Sequence, residues 1–161
     1  MYSEVGTGTT LKIYLPRVEQ TFELPDLGAA PAELLRGSET VLLVEDDEKV
    51  RALVQVLLER HGYMVIAAKQ GQDALRVAQD STTTIDLLLT DTIMPGMSGT
   101  ELAHQVLALR PAIKVLYMSG YTDKAVWEPG FAFLQKPFTP QTLTRKVHDI
   151  LNADSQPSST E

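Results

Sequence analysis

Four apolar residues, Val41-Leu42-Leu43-Val44, run directly into three acidic ones, Glu45-Asp46-Asp47. A continuous apolar run of this kind is typical of a strand that is buried on both faces, as in a parallel sheet. Apolar residues then recur at helical spacing up to Arg60, and Gly62 follows at a position where helices commonly end. The stretch therefore predicts a buried strand, an acidic turn and a helix from about Asp47 to Arg60.

This alternation of strand and helix continues along the chain. Further strands are predicted at residues 63–68, 85–90, 113–118 and 131–135, and further helices at residues 73–79, from 98 up to Pro111, and from 140 onward. Ser98 and Glu101 have the spacing of a capping box, and Thr139 followed by Pro140 is a favourable helix start. Regular alternation predicts an α/β fold, in which a doubly wound, five-stranded parallel sheet carries helices on both faces.

The composition fits this class and excludes several others. The chain has 161 residues, of which 43% are hydrophobic and 22% charged, as expected of a globular domain. It has no cysteine, which excludes a disulfide scaffold, a thiolate zinc site and a cysteine nucleophile. The longest apolar run, residues 63–68, is too short to span a bilayer, and no signal peptide is visible. A net charge of −7 argues against a nucleic-acid-binding surface. We therefore expect a cytoplasmic fragment without nucleic-acid or membrane contact.

The periodic core is flanked by less regular sequence. Residues 1–15 include an alternating run at 9–15 that can form a strand, although a lone strand has no partner. Residues 16–38 contain several prolines and glycines and are predicted to be a linker. Residues 39–152 hold nearly all the periodicity, and residues 153–161 are predicted to be a disordered tail. The folded domain is thus predicted to span residues 39–152.

Acidic residues stand where two predicted strands end. Glu45 and Asp46 follow the first strand, and Asp91 ends the third. In a doubly wound sheet, ligands bind outside the carboxyl ends of the strands, so these side chains should converge if both strands are central. Clustered carboxylates repel one another unless a cation joins them, and a small set of oxygen ligands suits Mg²⁺. Either feature alone is better explained by helix capping or a turn, but together they predict a metal and phosphate site.

Two further strand ends support this interpretation. Ser119 ends the fourth strand and offers a hydroxyl, and Lys136 follows the fifth and offers an ammonium group. A phosphoryl group attached to Asp91 would need a cation and hydroxyl donors around its oxygens. Singly, such a lysine or serine is more often a surface or turn residue. Their occurrence at four strand ends of one sheet favours a common site.

Together these segments resemble the receiver domain of two-component signalling. The resemblance rests on residues 41–47, the run Asp91-Thr-Ile-Met-Pro-Gly-Met-Ser-Gly99, the run Met118-Ser-Gly-Tyr121, and Lys136-Pro-Phe138, and it covers about residues 39–152. It implies a flavodoxin-like sheet with strand order 2-1-3-4-5. It also implies that Asp91 accepts a phosphoryl group from phosphohistidine, and that the domain catalyses only its own phosphorylation and dephosphorylation.

The resemblance assigns a role to each residue of the acidic cluster. Asp46, Asp91 and the backbone carbonyl of Ile93 are expected to hold Mg²⁺, with Glu45 reaching the metal through water. Asp47 is the competing ligand if the alignment shifts by one residue; we place it at the helix start. The resemblance also makes Lys136 and Ser119 contacts of the phosphoryl group.

A conformational switch is implied as well. Ser119 would turn toward the phosphoryl group and Phe133 would move inward behind it. Many receivers have tyrosine at this place, so an inward Phe133 would depend on packing alone. The Lys136–Pro137 bond is often cis in receivers. Only 16 residues separate Ser119 from Lys136, so the fourth helix, predicted at residues 122–128, is expected to be short.

The first fifteen residues resemble the last glycine box and strand of a histidine-kinase ATP-binding domain, although a short glycine motif is weak by itself. The chain is then expected to come from a hybrid sensor kinase. The fragment holds no complete kinase, whereas its parent chain would be a protein-histidine kinase. The implied partners are a kinase dimerisation and phosphoacceptor domain or a histidine phosphotransfer protein.

Other functions fit the same fold class. A metal-dependent phosphohydrolase commonly needs a second aspartate two residues after the nucleophile, where this chain has Ile93. A flavin or nucleotide site needs a phosphate-binding loop after the first strand, where acidic residues 45–48 would repel phosphate. A degenerate receiver that serves only for docking would lack acceptor-site residues that this chain retains.

Overall fold

The computed structural model describes residues 2–4, 8–10, 36–120 and 131–153. The chain divides into two compact units, residues 1–32 and residues 33–161. In the first unit, β1 (Tyr2–Glu4) pairs antiparallel with β2 (Gly8–Thr10). The strand predicted at residues 9–15 is confirmed for Thr9 and Thr10, whereas the expectation that it has no partner is wrong, because β1 supplies the backbone partner that a strand requires. Residues 11–15 lie outside the described part.

The second unit contains a five-stranded parallel sheet. Its strands are β3 (Thr40–Val44), β4 (Met64–Ala68), β5 (Leu87–Asp91), β6 (Lys114–Ser119) and β7 (Ala132–Gln135). They lie in the order β4-β3-β5-β6-β7, which is the order 2-1-3-4-5 when counted within this sheet. The predicted fold class and strand order are confirmed, with strand bounds that differ by one or two residues.

Four helices connect or follow the strands in the described residues: α1 (Glu48–Arg60), α2 (Gly71–Gln79), α3 (Gly99–Leu109) and α4 (Pro140–Asn152). Side-chain oxygens of Asp47, Ser98 and Thr139 accept backbone hydrogen bonds at the starts of α1, α3 and α4. These caps satisfy amide groups that have no partner within the helix. The helix predicted at residues 122–128 lies outside the described residues.

The sheet separates two apolar layers. Alternate residues of β3, β5 and β6 point to opposite faces, so Leu42 and Leu88 pack with α2 and α3 whereas Leu43 and Leu89 pack with α1 and α4. Both faces are therefore covered, which explains why the central strands are apolar at nearly every position. In the described segments, no helix has both the length and the apolar character needed to cross a membrane.

Strand register brings the ends of the strands to one level. Val44 is paired with Thr90, Asp91 with Met118, and Ser119 with Gln135. Because the strands are parallel, the residues that follow them emerge at the same edge of the sheet. The fold thus places the predicted site residues at a single edge.

Helix α3 begins directly against the backbone of β5. The amide of Gly99 donates to the carbonyl of Thr92 at 3.0 Å. A Cβ atom at Gly99 would overlap the carbonyl oxygen of Asp91 and lie 2.9 Å from its carbonyl carbon. Only glycine allows the helix start to lie this close to the end of β5.

We expect Gly99→Ala to lower the free energy of unfolding by about 1–3 kcal/mol, because the added methyl must displace backbone rather than a flexible side chain. Urea unfolding measures this change. The control is Gln105→Ala, at an exposed position of the same helix, which should change the stability by no more than about 0.5 kcal/mol. Equal effects of the two substitutions would contradict the close approach.

The buried phenol of Tyr63 should make the stability of the fold decrease at alkaline pH. Its side chain is 3% exposed, and burial is the main reason that the pKa of its phenol is raised to about 12. Since the folded chain favours the neutral phenol, this contribution to stability is complete below the unfolded pKa near 10 and is lost as the pH rises toward 12. Between pH 10 and 12, wild type should lose on the order of 2 kcal/mol more stability than Tyr63→Phe. Urea unfolding between pH 10 and 12 measures this difference. Equal losses of stability in wild type and Tyr63→Phe would refute the prediction.

Candidate functional site

Three carboxylates meet at the edge of the sheet formed by the ends of β3 and β5. Glu45, Asp46 and Asp91 each offer an oxygen, and these oxygens lie within 4.8 Å of one another. Glu45 is 1% exposed, and the Asp91 side chain is 14% exposed. The structure therefore brings together the acidic residues that the sequence predicted to converge, in a place that is only partly open to solvent.

Lys136 binds two members of this cluster. Its Nζ donates to Oε2 of Glu45 at 2.7 Å and to Oδ2 of Asp91 at 2.8 Å. Since β6 lies between β5 and β7, the lysine reaches across one strand to contact Asp91 and across two to contact Glu45. The predicted nearness of Lys136 to Asp91 is observed, whereas its bond to Glu45 was not foreseen.

Burial and pairing act differently on the two ends of the Lys136–Glu45 pair. Burial raises the pKa of Glu45, and the repulsion by Asp91 adds to it, although the hydrogen bond from Lys136 partly opposes both. At Lys136 burial acts to lower the pKa, but the bonds to Asp91 and Glu45 outweigh it, and the pKa is raised. The ammonium group is thus stabilised in its charged form at the centre of the cluster.

Asp47 has a different role from its two acidic neighbours. It is exposed, and its Oδ1 accepts hydrogen bonds from the amides of Lys49 and Val50 at 2.8 and 3.0 Å. These two hydrogen bonds lower the pKa of Asp47, and the bond from Val50 has the larger effect. Asp47 therefore caps α1, as the sequence interpretation placed it.

Arg51 is a site neighbour that the sequence interpretation missed. From α1, its Nη1 donates to the carbonyl oxygens of Glu45 at 2.6 Å and of Asp46 at 3.3 Å. The available signal was its position near the start of the helix, within side-chain reach of the acidic turn. Arg51 contacts the backbone of the cluster, in contrast to Lys136, which contacts its side chains.

Ile93 and Ser119 border the cluster in different ways. The amide of Ile93 donates to Oδ1 of Asp91 at 3.3 Å, and its side chain is 63% exposed. Ser119 is buried at the end of β6, and its carbonyl accepts from the amide of Lys136 at 2.7 Å. The expected site residues are therefore grouped at one edge through backbone as well as side-chain contacts.

Phe133 lies half-buried on β7, where it stacks on Tyr117 with ring centroids 5.2 Å apart and an interplanar angle of 26°. Tyr117 also meets Phe131 edge to face at 5.5 Å. The ring of Phe133 is therefore packed on its strand partner. The Lys136–Pro137 peptide bond at the end of the same strand is cis, as the resemblance suggested.

The donor set of the cluster suits a hard divalent cation. It consists of carboxylate oxygens, with no sulfur or imidazole group among the members. Mg²⁺ prefers oxygen ligands and commonly takes one or two carboxylates while it retains water. The residues present thus fit Mg²⁺, and Lys136 alone offsets only part of their negative charge.

Comparison with known proteins agrees with this architecture. Residues 41–148 match the family model described as response regulator receiver domain. Sensor kinase CckA of Brucella abortus is 36% identical over 161 residues, an alignment that covers 92% of this chain and 17% of that kinase. Response regulator receiver protein CpdR of the same organism is 32% identical over 118 residues, covering 70% of this chain and 97% of CpdR. The alignments thus span less than a fifth of the sensor kinase but nearly all of CpdR.

A solved structure has the same fold. The receiver domain of hybrid histidine kinase CckA is 38% identical, with a TM-score of 0.62, over 70% of this chain and 98% of that domain. The family match, at residues 41–148, covers both acidic strand ends and Lys136. On these grounds the chain belongs to the response regulator receiver domain family of two-component signalling, whose partners are of the kinase and phosphotransfer kind.

Proposed function

We propose that this receiver domain accepts a phosphoryl group on the carboxylate of Asp91. The observation that carries the proposal is the Lys136 ammonium group, which lies 2.8 Å from Oδ2 of Asp91 at a half-buried, acidic sheet edge. A lysine so placed can hold the carboxylate before transfer and then bind oxygens of the phosphoryl group afterwards. The donor would be phosphohistidine.

The proposed step is an in-line displacement at phosphorus. A carboxylate oxygen of Asp91 forms the new P–O bond while the P–N bond to the donor imidazole breaks, and the nitrogen keeps the bonding electrons. Lys136 offsets the negative charge on the phosphoryl oxygens, and the hydroxyl of Ser119 can donate to one of them. Hydrolysis of the resulting acyl phosphate would return the domain to its starting state.

The proposed metal is Mg²⁺. Asp46, Asp91 and the backbone carbonyl of Ile93 would hold it, with Glu45 contributing through a water molecule. Bound there, Mg²⁺ would supply positive charge toward the carboxylates and the phosphoryl oxygens. The oxygen donor set and the net negative charge that Lys136 leaves uncompensated support a divalent cation here. The backbone carbonyl of Ile93 and the water-mediated role of Glu45 are what the resemblance to receivers implies.

The proposed output is a change in packing. Ser119 would turn toward the phosphoryl group, and Phe133 would move inward behind it. Phe133 has no hydroxyl, and it stacks on Tyr117 and packs against the apolar layer beside it, so its position would depend on packing. The inward state would therefore be set by packing energy, to which the ring contact adds a modest part.

We also propose that the domain is the receiver of a hybrid kinase. The alignment with sensor kinase CckA covers 92% of the chain, which is more than the receiver match at residues 41–148 and so includes residues outside it. This supports residues 1–15 as the end of a kinase ATP-binding domain and residues 16–38 as a linker. The donor would then be the phosphohistidine of a kinase dimerisation domain or of a phosphotransfer protein, in the cytoplasm where ATP is available.

We expect Asp91→Asn to abolish labelling by acetyl phosphate in the presence of Mg²⁺, because an amide cannot form an acyl phosphate. Mass spectrometry of the intact chain measures the added phosphoryl group, and hydroxylamine should remove it from wild type. Asp73→Asn, which changes a partly exposed aspartate on α2, should leave labelling unchanged. Labelled Asp91→Asn would refute the assignment of the acceptor.

We expect Asp46→Asn to weaken Mg²⁺ binding at least about tenfold, since it removes a charged ligand from the cluster. Isothermal titration calorimetry gives the Kd. The matched control is Asp47→Asn, because asparagine also caps helices well and the side chain of residue 47 binds the start of α1. If Asp47→Asn weakened the affinity and Asp46→Asn did not, the ligand assignment would have to shift by one residue.

The metal-dependent phosphohydrolase alternative gains no support from the site. Ile93, at the position where such enzymes commonly place an aspartate, has no group that can transfer a proton. The docking-only alternative is disfavoured because Asp91 and Lys136 are in contact. Phosphoryl acceptance remains the function that the arrangement favours.

A further inference from the structure

The acidic turn between β3 and α1 is attached to the structure at both ends. On the sheet side, the amide of Glu45 donates to the carbonyl of Ala68 on β4 at 3.3 Å. On the helix side, Asp47 caps α1 through the amides of Lys49 and Val50. Asp46 lies between these attachments, and its carboxylate is the proposed ligand that projects from the turn.

Arg51 binds this middle part of the turn. Its half-buried guanidinium group donates from Nη1 to the carbonyl oxygens of Glu45 at 2.6 Å and of Asp46 at 3.3 Å. An arginine side chain remains charged at all physiological pH values, so these bonds are charge-assisted. The bonds fix the peptide planes on either side of the Asp46 Cα, and thereby the direction in which its side chain leaves the backbone.

These contacts also decide which oxygens of the turn face a cation. The guanidinium group donates to the two carbonyl oxygens, whereas carboxylate oxygens of Glu45 and Asp46 lie within 4.8 Å of one another and of one from Asp91. Without Arg51, the same carbonyls would need other donors, and the turn could rotate to satisfy them. The order of the metal ligands would then be lost even though every ligand residue is present.

We infer that Arg51 is a positioning residue for divalent-cation binding at the acidic cluster, acting through the backbone of Glu45 and Asp46 rather than by contact with the metal. The inference rests on the proposed Mg²⁺ site. It predicts a change in Mg²⁺ affinity opposite in direction to the one expected from charge alone. Removal of a positive charge near a cation site should by itself strengthen cation binding, whereas loss of ligand positioning should weaken it.

The test compares wild type with Arg51→Ala, Arg51→Lys and Arg60→Ala. Arg60 lies at the exposed far end of the same helix, so its substitution removes the same charge without touching the acidic turn. Mg²⁺ affinity is measured by calorimetry and by shifts of the Asp46 and Asp91 amide resonances. Thermal unfolding in EDTA reports the effect on the metal-free fold separately.

We expect Arg51→Ala to raise the Kd for Mg²⁺ about tenfold, in the range found for residues that orient metal ligands. Arg51→Lys, which keeps a charged donor, should recover part of that loss, and Arg60→Ala should bind as wild type does. If Arg51→Ala is too unstable to titrate, Arg51→Lys decides the question: it should bind Mg²⁺ more weakly than wild type while melting within a few degrees of it.

Unchanged or tighter Mg²⁺ binding by the Arg51 variants, with normal binding by wild type, would overturn the positioning role and leave the proposed function intact. An equal loss in Arg60→Ala would also overturn it, since a nonspecific effect of losing an arginine from α1 would then account for the weaker binding. Absence of Mg²⁺ binding in wild type would instead count against the proposed metal site itself. The failures of the two proposals are thus distinguishable.

Discussion

The site depends on the repulsion between three carboxylates that lie close together at one edge of the sheet. Glu45, Asp46 and Asp91 have oxygens within 4.8 Å of one another, and two unit charges at such distances near a protein surface interact by about 4 kcal/mol. The Lys136 ammonium group offsets part of this cost by binding Glu45 and Asp91 together. Because Lys136 follows β7, Glu45 follows β3 and Asp91 ends β5, this compensation requires the whole sheet from β3 to β7 to be assembled.

The same constraint explains why the domain is suited to phosphoryl chemistry. One ammonium group against three carboxylates leaves a negative edge, which favours a divalent cation once a phosphoryl group adds further oxygens. Burial sharpens this effect, since it raises the pKa of Glu45 and makes each uncompensated charge more costly. The features that make the cluster unfavourable by itself are those that would make binding of a divalent cation favourable.

Most of the fold and much of the cluster could be predicted from the sequence because their signals are local. Apolar runs marked the strands, and Asp47, Ser98 and Thr139 marked helix starts that the structure confirms. The contacts that were missed join residues far apart or act through the backbone. The hydrogen bond between Lys136 and Glu45 joins residues 91 positions apart. The requirement for glycine at residue 99 arises because the start of α3 lies against the backbone carbonyl of Asp91. The antiparallel pairing of β1 with β2 was missed because each strand has only three residues.

Phosphorylation of Asp91 would change the hydrogen-bond partners of Lys136 but not those of Arg51. Lys136 binds carboxylate oxygens of Glu45 and Asp91, whose charge and surroundings change when Asp91 is modified, so its bonds can redistribute toward the new oxygens. Arg51 binds backbone carbonyls, whose charge is the same before and after transfer. Arg51 lies on α1, the helix that follows the acidic turn, whereas Lys136 follows β7, the strand that carries Phe133. Under the proposed function, a change of charge at Asp91 would therefore act on the contacts of Lys136, which include Glu45 in the acidic turn, and would leave the backbone bonds of Arg51 unchanged.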